Sequence, residues 1–145
     1  MRVVVQRVKE ATVFVNQEMV SHIDKGYLLY IGISDTDTIE IAHKVATKIK
    51  NLRIFEDDQE KMNLNLSAVN GSILAVSQFT LYGDTKGNNR PSFIKAQRPE
   101  EAKRLYDEIV SLLSKDFKVE TGIFQAHMEI SSINDGPVTI IIEID

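Results

Sequence analysis

Only two segments of the chain have the hydrophobic spacing of an amphipathic helix, and each lies between groups of strand-like runs. The first falls between Asp37 and Lys50, where Asp37 and Glu40 are spaced as in a capping box. The second begins at Pro99, a residue type favoured in the first helical turn, and continues to Leu113. Because helices and strands do not alternate strictly, the sequence predicts an α+β fold around one large sheet or barrel.

Strand-like runs, rich in Val, Ile, Phe and Thr, occur in seven further segments of the chain. They cover residues 3–8, 12–15, 26–33, 72–81, 118–124, 128–133 and 138–144. Only Asn134-Asp135-Gly136-Pro137 separates the last two runs, which predicts a hairpin or a tight crossing there. With 145 residues, of which 43% are apolar, the chain can bury one core, so we expect a single domain spanning residues 1–145.

The composition excludes several classes of protein. The formal net charge is −4, so nucleic acid could not be held by bulk charge alone and any such site must be local. The absence of Cys excludes disulfides, thiolate nucleophiles and Cys-built metal sites. No apolar stretch approaches the roughly 20 residues needed to span a bilayer, so we expect no membrane partner and a cytoplasmic location.

The sequence offers no pattern for a metal ion or a nucleotide cofactor. His22, His43 and His127 lie on separate predicted elements and lack the spacing of a metal-binding motif. The loop 83–87 contains Gly and Lys but not the spacing of a phosphate-binding loop. We therefore expect no metal and no cofactor.

A polar run, Ser77-Gln78-Phe79-Thr80, interrupts a predicted strand that is otherwise apolar. Alternation along a strand places Ser77 and Phe79 on one face and Gln78 and Thr80 on the other. The run is either a strand end whose hydroxyls find local partners or the wall of a polar pocket. The flanking glycines of a nucleophile elbow are missing around Ser77, which disfavours a Ser-His-Asp hydrolase.

Two further features each allow two interpretations. Between Thr85 and Pro99 the chain has no acidic residue but four basic ones: Lys86, Arg90, Lys95 and Arg98. This basic window is either a solvated loop or a local contact surface for nucleic-acid phosphates. The dipeptide Gly136-Pro137 is either an ordinary turn or a place where bare backbone approaches a ligand closely.

Two motifs, Ser77-Gln78-Phe79-Thr80-Leu81 and Asn134-Asp135-Gly136-Pro137-Val138-Thr139, together resemble the paired signature motifs of the D-aminoacyl-tRNA deacylase family of bacteria and eukaryotes. The similarity extends along the whole chain in order and approximate spacing. It includes Gln6-Arg7-Val8, Arg53-Ile54-Phe55, Lys61-Met62-Asn63-Leu64-Asn65, Arg90-Pro91-Ser92-Phe93, and Thr121-Gly122 with Phe124, Ala126 and Met128. The loop from Gly83 to Asn89 does not align with the family, so no family role is carried over to it. His127 matches no functional position of the family.

The resemblance implies the fold of that family and a homodimer that hydrolyses the ester joining a D-amino acid, or glycine, to the terminal adenosine of tRNA. It further implies that the Gly136-Pro137 peptide bond is cis and that this pair enters the pocket of the partner subunit. The carbonyl oxygens there would face the α-carbon of the amino acid. An L side chain would collide with them, whereas glycine and D-residues place only hydrogen at that position.

The resemblance also implies roles for individual residues. The catalytic pocket corresponds by position to Ser77, Gln78, Phe79 and Thr80. Phe79 would hold the adenosine, and Thr80 would lie near the scissile ester. Met128 would line the pocket, and Arg7 would hold the Gly-Pro loop. The implied chemistry is RNA-assisted: the 2′-hydroxyl of the terminal ribose helps to activate water, while the protein positions the ester and stabilises charge.

Two alternative functions remain open from the sequence. In the first, Thr80 or Ser77 is a covalent nucleophile of a conventional esterase, which requires an activating base that no pattern reveals. In the second, the chain is a tRNA-binding module without catalysis. The basic window supports this second alternative, although no aromatic strand signature of a common RNA-binding domain is present.

Overall fold

The long strand β1 is the centre of the fold, because three other strands pair with it. The computed structural model describes all residues from 1 to 145. In chain order the strands and α-helices are β1 (Arg2–Val15), β2 (Glu18–Ile23), β3 (Gly26–Gly32), α1 (Ile39–Asn51), β4 (Phe55–Glu56), β5 (Met62–Leu64), β6 (Ser72–Ser77), α2 (Pro99–Ser114), β7 (Val119–Thr121) and β8 (Glu129–Glu143). Short 3₁₀ helices cover Ser67–Val69 and Phe79–Tyr82.

The main sheet has six strands and is nearly closed. Its order is β2-β1-β3-β6-β7, and β8 pairs with β1 in addition. β1 is antiparallel to β2, β3 and β8, whereas β6 is parallel to both β3 and β7. Because β2 also contacts β6 and β7, the sheet curls nearly into a barrel. The predicted α+β fold around one large sheet or barrel is confirmed.

Apolar side chains fill both faces of this sheet. Along β3, Tyr27, Leu29 and Ile31 belong to the larger core, and Leu28 belongs to the smaller one, as alternation along a strand requires. The larger core also contains the buried faces of both helices. The predicted second helix is confirmed, and Pro99 stands in its first turn. No helix is long and apolar enough to cross a membrane.

The start of α1 differs from the predicted capping box. Thr38 is the N-cap, and its hydroxyl accepts a hydrogen bond from the Ile41 N–H at 3.4 Å. Asp37, the predicted cap, is buried and accepts hydrogen bonds from the Met1 α-ammonium at 2.6 Å and from the Ser34 N–H at 2.7 Å. The prediction for Asp37 was wrong because a contact with a distant part of the chain engages its carboxylate.

The last two predicted strands form the single strand β8, so the predicted hairpin or crossing between them is wrong. β8 pairs with β1 on both sides of Gly136-Pro137. Where β1 advances from Gln6 to Val8, β8 covers the longer stretch between Thr139 and Asn134. The extra residues bulge out of the ladder, which lets a proline stand within a long strand without interrupting it.

Candidate active site

A pocket of about 560 Å³ opens where β6 ends. Its walls come from the end of β6, the segment before α2, and the loop that leads into β8. The lining includes Ser77, Gln78, Phe79 and Met128 but not Thr80. His127 is the only ionisable side chain in the lining. No group of three or more His, Asp or Glu side chains that could hold a metal ion is present.

The turn after β6 directs three consecutive side chains into this pocket. β6 ends at Ser77, opposite Ile31 near the end of its parallel neighbour β3, and the Gln78 N–H donates a last hydrogen bond to the Ile31 carbonyl at 2.8 Å. The chain then enters the 3₁₀ helix, so the prediction of a strand over residues 72–81 was wrong beyond Ser77. The predicted alternation fails with it, because Ser77, Gln78 and Phe79 all line the same pocket.

Thr80 lies in the 3₁₀ helix, is exposed, and has one side-chain partner. Its Oγ1 accepts a hydrogen bond from the side-chain amide of Gln78. A neutral amide nitrogen donates and cannot take a proton from a hydroxyl, so Gln78 cannot activate Thr80 as a nucleophile. Thr80 therefore has no base hydrogen-bonded to it, as a nucleophilic threonine would require.

Phe79 presents an aromatic surface at the edge of the pocket. Its side chain is 55% exposed, and its ring meets the Phe93 ring edge-on with centroids 5.2 Å apart. Phe93 therefore packs against the Phe79 ring, which keeps more than half of its surface accessible. Such a ring can stack on a nucleobase, a contact worth about 1–3 kcal/mol per base in single-strand binding proteins.

Arg7 is buried beneath the bulge of β8, with 5% of its surface exposed. Its Nε donates to the Asp135 carbonyl at 3.3 Å and lies 3.3 Å from the Asp135 carboxylate. Its Nη1 donates to the Ile54 carbonyl at 2.9 Å, and its Nη2 lies 3.6 Å from the Glu56 carboxylate. Because a planar guanidinium with several partners has one favourable orientation, Arg7 holds the residue immediately before the Gly-Pro pair.

Gly136 and Pro137 form an exposed corner on this support, and the peptide bond between them is cis. Gly136 has φ +123°, and a Cβ added there would lie 2.8 Å from Val138 Cγ2 and 3.1 Å from Arg7 Nη2. Asn134 closes the bulge, since its side-chain amide donates to the Arg7 and Val138 carbonyls at 3.0 Å each. None of the residues at this corner lines the pocket of the same chain.

The four cations of the predicted basic window are exposed, and none of them forms an ion pair. Lys86 and Lys95 line a second cleft, whereas Arg90 and Arg98 do not. Arg98 precedes α2, and its N–H donates to the Gln97 side-chain carbonyl at 2.8 Å. The window is thus a charged surface beside the pocket.

The sequence indicated no place in the pocket for four of its lining residues: Phe93, Gln97, Phe124 and His127. All four lie in loops before α2 and β8, where no periodic pattern marks which side chains meet at a strand end. The similarity to the deacylase family included Phe93 and Phe124, but only as matching positions. The basic window was a second signal, but only for the loop before α2.

Known proteins of one family resemble the chain over nearly its whole length. Residues 4–143 match the family model described as D-Tyr-tRNA(Tyr) deacylase. A D-aminoacyl-tRNA deacylase of an Exiguobacterium species is 51% identical over 144 residues, which cover 99% of this chain and 98% of the relative. The corresponding enzyme of Halothermothrix orenii is 53% identical over 144 residues, covering 99% of this chain and 97% of the relative.

Solved structures share the fold. The structure titled c-Myc DNA Unwinding Element Binding Protein has a TM-score of 0.94 and 38% identity, with 100% of this chain and 99% of that chain covered. A probable eukaryotic D-amino acid tRNA deacylase has a TM-score of 0.84 at 20% identity, covering 99% and 98% of the two chains, and supports the fold alone.

The fold, the pocket and these relatives define a hydrolase that acts on the ester bond of aminoacyl-tRNA. The chain belongs to the D-aminoacyl-tRNA deacylase family. Its substrate is therefore an aminoacyl-tRNA, and the alternative of an RNA-binding module without catalysis is set aside.

Proposed function

We propose that this deacylase selects D-aminoacyl-tRNA by steric exclusion at Gly136-Pro137, which enters the pocket of a second copy of the chain. The observation that carries the proposal is the distance of this corner from the pocket of its own chain. Ile130, which lines the pocket, precedes Gly136 by six residues of β8, on the order of 15–20 Å of strand. An exposed corner fixed by the buried Arg7 is suited to act on a neighbouring molecule.

Exclusion explains how one site accepts many side chains. Backbone carbonyls facing the α-carbon leave room for hydrogen and not for a side chain, so the L form is rejected by a clash. A D side chain points away from the carbonyls and meets no such limit. Glycyl-tRNA passes the same filter, because glycine has hydrogen on both sides of the α-carbon.

A homodimer completes this proposed site. β8 carries exposed apolar side chains on both sides of the corner: Ile133 is 50% exposed and Ile141 is 62% exposed. A second copy that receives the corner would cover apolar surface on the same strand, which favours association. With aminoacyl-tRNA as the substrate, we also propose a cytoplasmic location.

The experiment that tests the filter compares deacylation of matched D- and L-aminoacyl-tRNA, together with glycyl-tRNA, by the purified enzyme. Hydrolysis of several D-aminoacyl-tRNAs and of glycyl-tRNA, with the L forms left intact, is the expected result. Equal hydrolysis of D and L forms would contradict selection by exclusion. Mass measurement of the protein in solution checks the dimer.

For the chemical step we propose assistance by the RNA. The terminal adenosine stacks on Phe79, Met128 lines the pocket beside it, and the 2′-hydroxyl of the terminal ribose helps to activate the attacking water. The proposal is supported by the surroundings of Thr80, where Gln78 supplies a donor and no base. Ser77, Gln78 and Thr80 then position the ester and its developing charge, which accounts for catalysis through orientation and preorganised donors.

Thr80→Ala should keep measurable deacylase activity. If the hydroxyl orients water or the ester, its loss costs at most about 10²–10³ in kcat, the range for one donor in such a site. Single-turnover rates of the variant and of Thr47→Ala, an exposed threonine on α1, provide the comparison. Complete loss of activity together with a trapped acyl-enzyme in the parent protein would restore the nucleophile hypothesis.

Arg90→Gln and Arg98→Gln should each weaken binding of every tRNA to a similar extent. Contacts to phosphates release counterions without reading bases, so each substitution should make the slope of log affinity against log salt shallower by about 0.7–0.9. Filter-binding titrations at several salt concentrations measure this slope. An unchanged slope in both variants would remove these two residues from the contact surface.

A further inference from the structure

A second cleft, of about 360 Å³, lies beside the pocket. We name it the basic cleft and define it by Arg2, Tyr82, Asp84, Lys86 and Lys95, with Tyr82 as its one hydrophobic residue. The basic window in the sequence indicated Lys86 and Lys95, but Arg2 lies far away along the chain and joins them only in the fold.

The basic cleft and the pocket share two wall segments. The 3₁₀ helix contributes Phe79 to the pocket and Tyr82 to the basic cleft. The segment before α2 contributes Phe93 to the pocket and Lys95 to the basic cleft. Because three residues of a 3₁₀ helix rise only about 6 Å, a ligand that extends past Phe79 reaches the basic cleft within roughly one nucleotide.

Arg2 is held in place at one side of the basic cleft. Its Nη1 donates to the Leu81 carbonyl at 2.6 Å, and its Nε is 2.6 Å from the Glu143 carboxylate. Its guanidinium carbon lies 5.0 Å from the centroid of the Tyr82 ring. The Nη2 group has no protein partner, so the guanidinium keeps donors free in a fixed orientation.

The two lysines are exposed, and no carboxylate neutralises either of them. The Lys95 carbonyl accepts a hydrogen bond from the Asp35 N–H at 3.0 Å, which fixes its backbone. Asp84 Oδ1 accepts from the Lys86 N–H at 2.8 Å, so this carboxylate is engaged within its own loop. The lining of the basic cleft thus holds three cations and one carboxylate, Asp84, in a chain whose net charge is −4. Two further carboxylates lie outside the lining: Glu143 pairs with Arg2, and Asp145 is near Tyr82.

Tyr82 adds no negative charge to the basic cleft. Burial, together with the nearby Asp37 carboxylate, raises the pKa of Tyr82 to about 12. The phenol is therefore neutral at physiological pH and keeps its hydroxyl as a possible donor.

We propose that the basic cleft binds the phosphodiester on the 5′ side of the terminal adenosine of the substrate tRNA. Lys86 and Lys95 contact the phosphate oxygens, and Arg2 offers its free Nη2 donors in a fixed orientation. A singly charged phosphodiester fits a surface with a small positive excess, and the shared wall links it to a base at Phe79. The assignment rests on the proposed binding of the terminal adenosine in the pocket.

The test compares D-aminoacyl-tRNA with D-aminoacyl-adenosine, the 3′-ester that carries no phosphate. In the K86Q/K95Q double variant, kcat/KM on D-aminoacyl-tRNA should fall about tenfold further than on D-aminoacyl-adenosine, since each exposed charge contact contributes modestly. The difference should lie in KM, because the contact persists from the bound substrate to the transition state. The slope of log kcat/KM against log salt should become shallower by about 0.7, because both lysines contact the same single-stranded phosphate.

Lys115→Gln is the matched control. Lys115 is an exposed lysine without an ion pair at the C-terminal end of α2, about 24 Å along the helix from Pro99 at the pocket. This variant should keep the parent values on both substrates. Equal losses on both substrates in K86Q/K95Q, or an unchanged salt slope, would overturn the phosphate site while leaving the pocket assignment intact. A parent enzyme that hydrolyses neither substrate would refute the proposed function, and the phosphate site with it.

Discussion

Replacing Gly136 by Ala should lower kcat on D-aminoacyl-tRNA about 100-fold. The backbone at this position has φ +123°, which L side chains rarely adopt, and the new Cβ would stand 2.8 Å from Val138 Cγ2 and 3.1 Å from Arg7 Nη2. The corner must shift to relieve these contacts, and a misplacement of about 1 Å in an active site costs about 10²-fold in rate. Hydrolysis of L-aminoacyl-tRNA should stay at background, because the substitution adds bulk and opens no space for an L side chain.

Gly87→Ala is the control that distinguishes the effect of backbone strain from the effect of displacing the Gly136-Pro137 corner. Gly87 also has a positive φ, of +82°, but no atom lies within 4 Å of an added Cβ. Both variants are compared by kcat on matched D and L substrates at saturation, and by thermal unfolding to exclude a general loss of folding. If Gly136→Ala keeps the parent D rate and the parent D/L ratio, the filter does not reside at this corner.

Removing the 2′-hydroxyl of the terminal ribose should slow deacylation by about 10²–10⁴, the range for loss of a general acid–base group. Thr80 offers no substitute for this group, since its hydroxyl is hydrogen-bonded to the Gln78 amide. The measurement is single-turnover hydrolysis of a D-aminoacyl-tRNA that ends in 2′-deoxyadenosine. A mechanism with a protein nucleophile should survive this change, whereas an RNA-assisted one should not.

Two controls test whether a slower reaction of the 2′-deoxy substrate reflects loss of the hydroxyl of the terminal ribose. A tRNA with the 2′-deoxy sugar at the preceding nucleotide should be hydrolysed at nearly the parent rate. His127 is the only pocket side chain that could act as a base instead of the ribose hydroxyl. A loss in His127→Gln as large as the loss on the deoxy substrate, together with normal hydrolysis of that substrate by the parent, would transfer the base role to the imidazole.

The elements that could be predicted are those whose secondary structure is specified by residues close together in the sequence. α2 begins at Pro99 as expected, because a proline in the first turn and an apolar stripe are local signals. β2 was not predicted, because Met19 and Val20 are exposed and its pattern does not alternate clearly. The cap of α1 was assigned to Asp37 in place of Thr38, since nothing local indicates that Asp37 binds the Met1 α-ammonium.

The candidate site was likewise predicted only in part. The motif around Ser77 and the motif around Gly136 were both identified in the sequence, because each has an unusual composition for a strand. The geometry of the two motifs could not be predicted from the sequence. The turn after Ser77 depends on where β3 ends, and the bulge at Gly136 depends on the length of β1 opposite it.

The sequence by itself determined the class of fold, the two helices, the family, and the two motifs that form one wall of the pocket and the Gly-Pro corner. Only the tertiary structure decided that Thr80 lies outside the lining of the pocket, and that the Ile54 carbonyl and the Glu56 carboxylate help to hold Arg7 beneath the corner. It also decided that Arg2 joins Lys86 and Lys95 in one cleft. The physical reason is that local patterns select secondary structure, whereas contacts between residues far apart in the chain depend on how strands pair and where each of them ends.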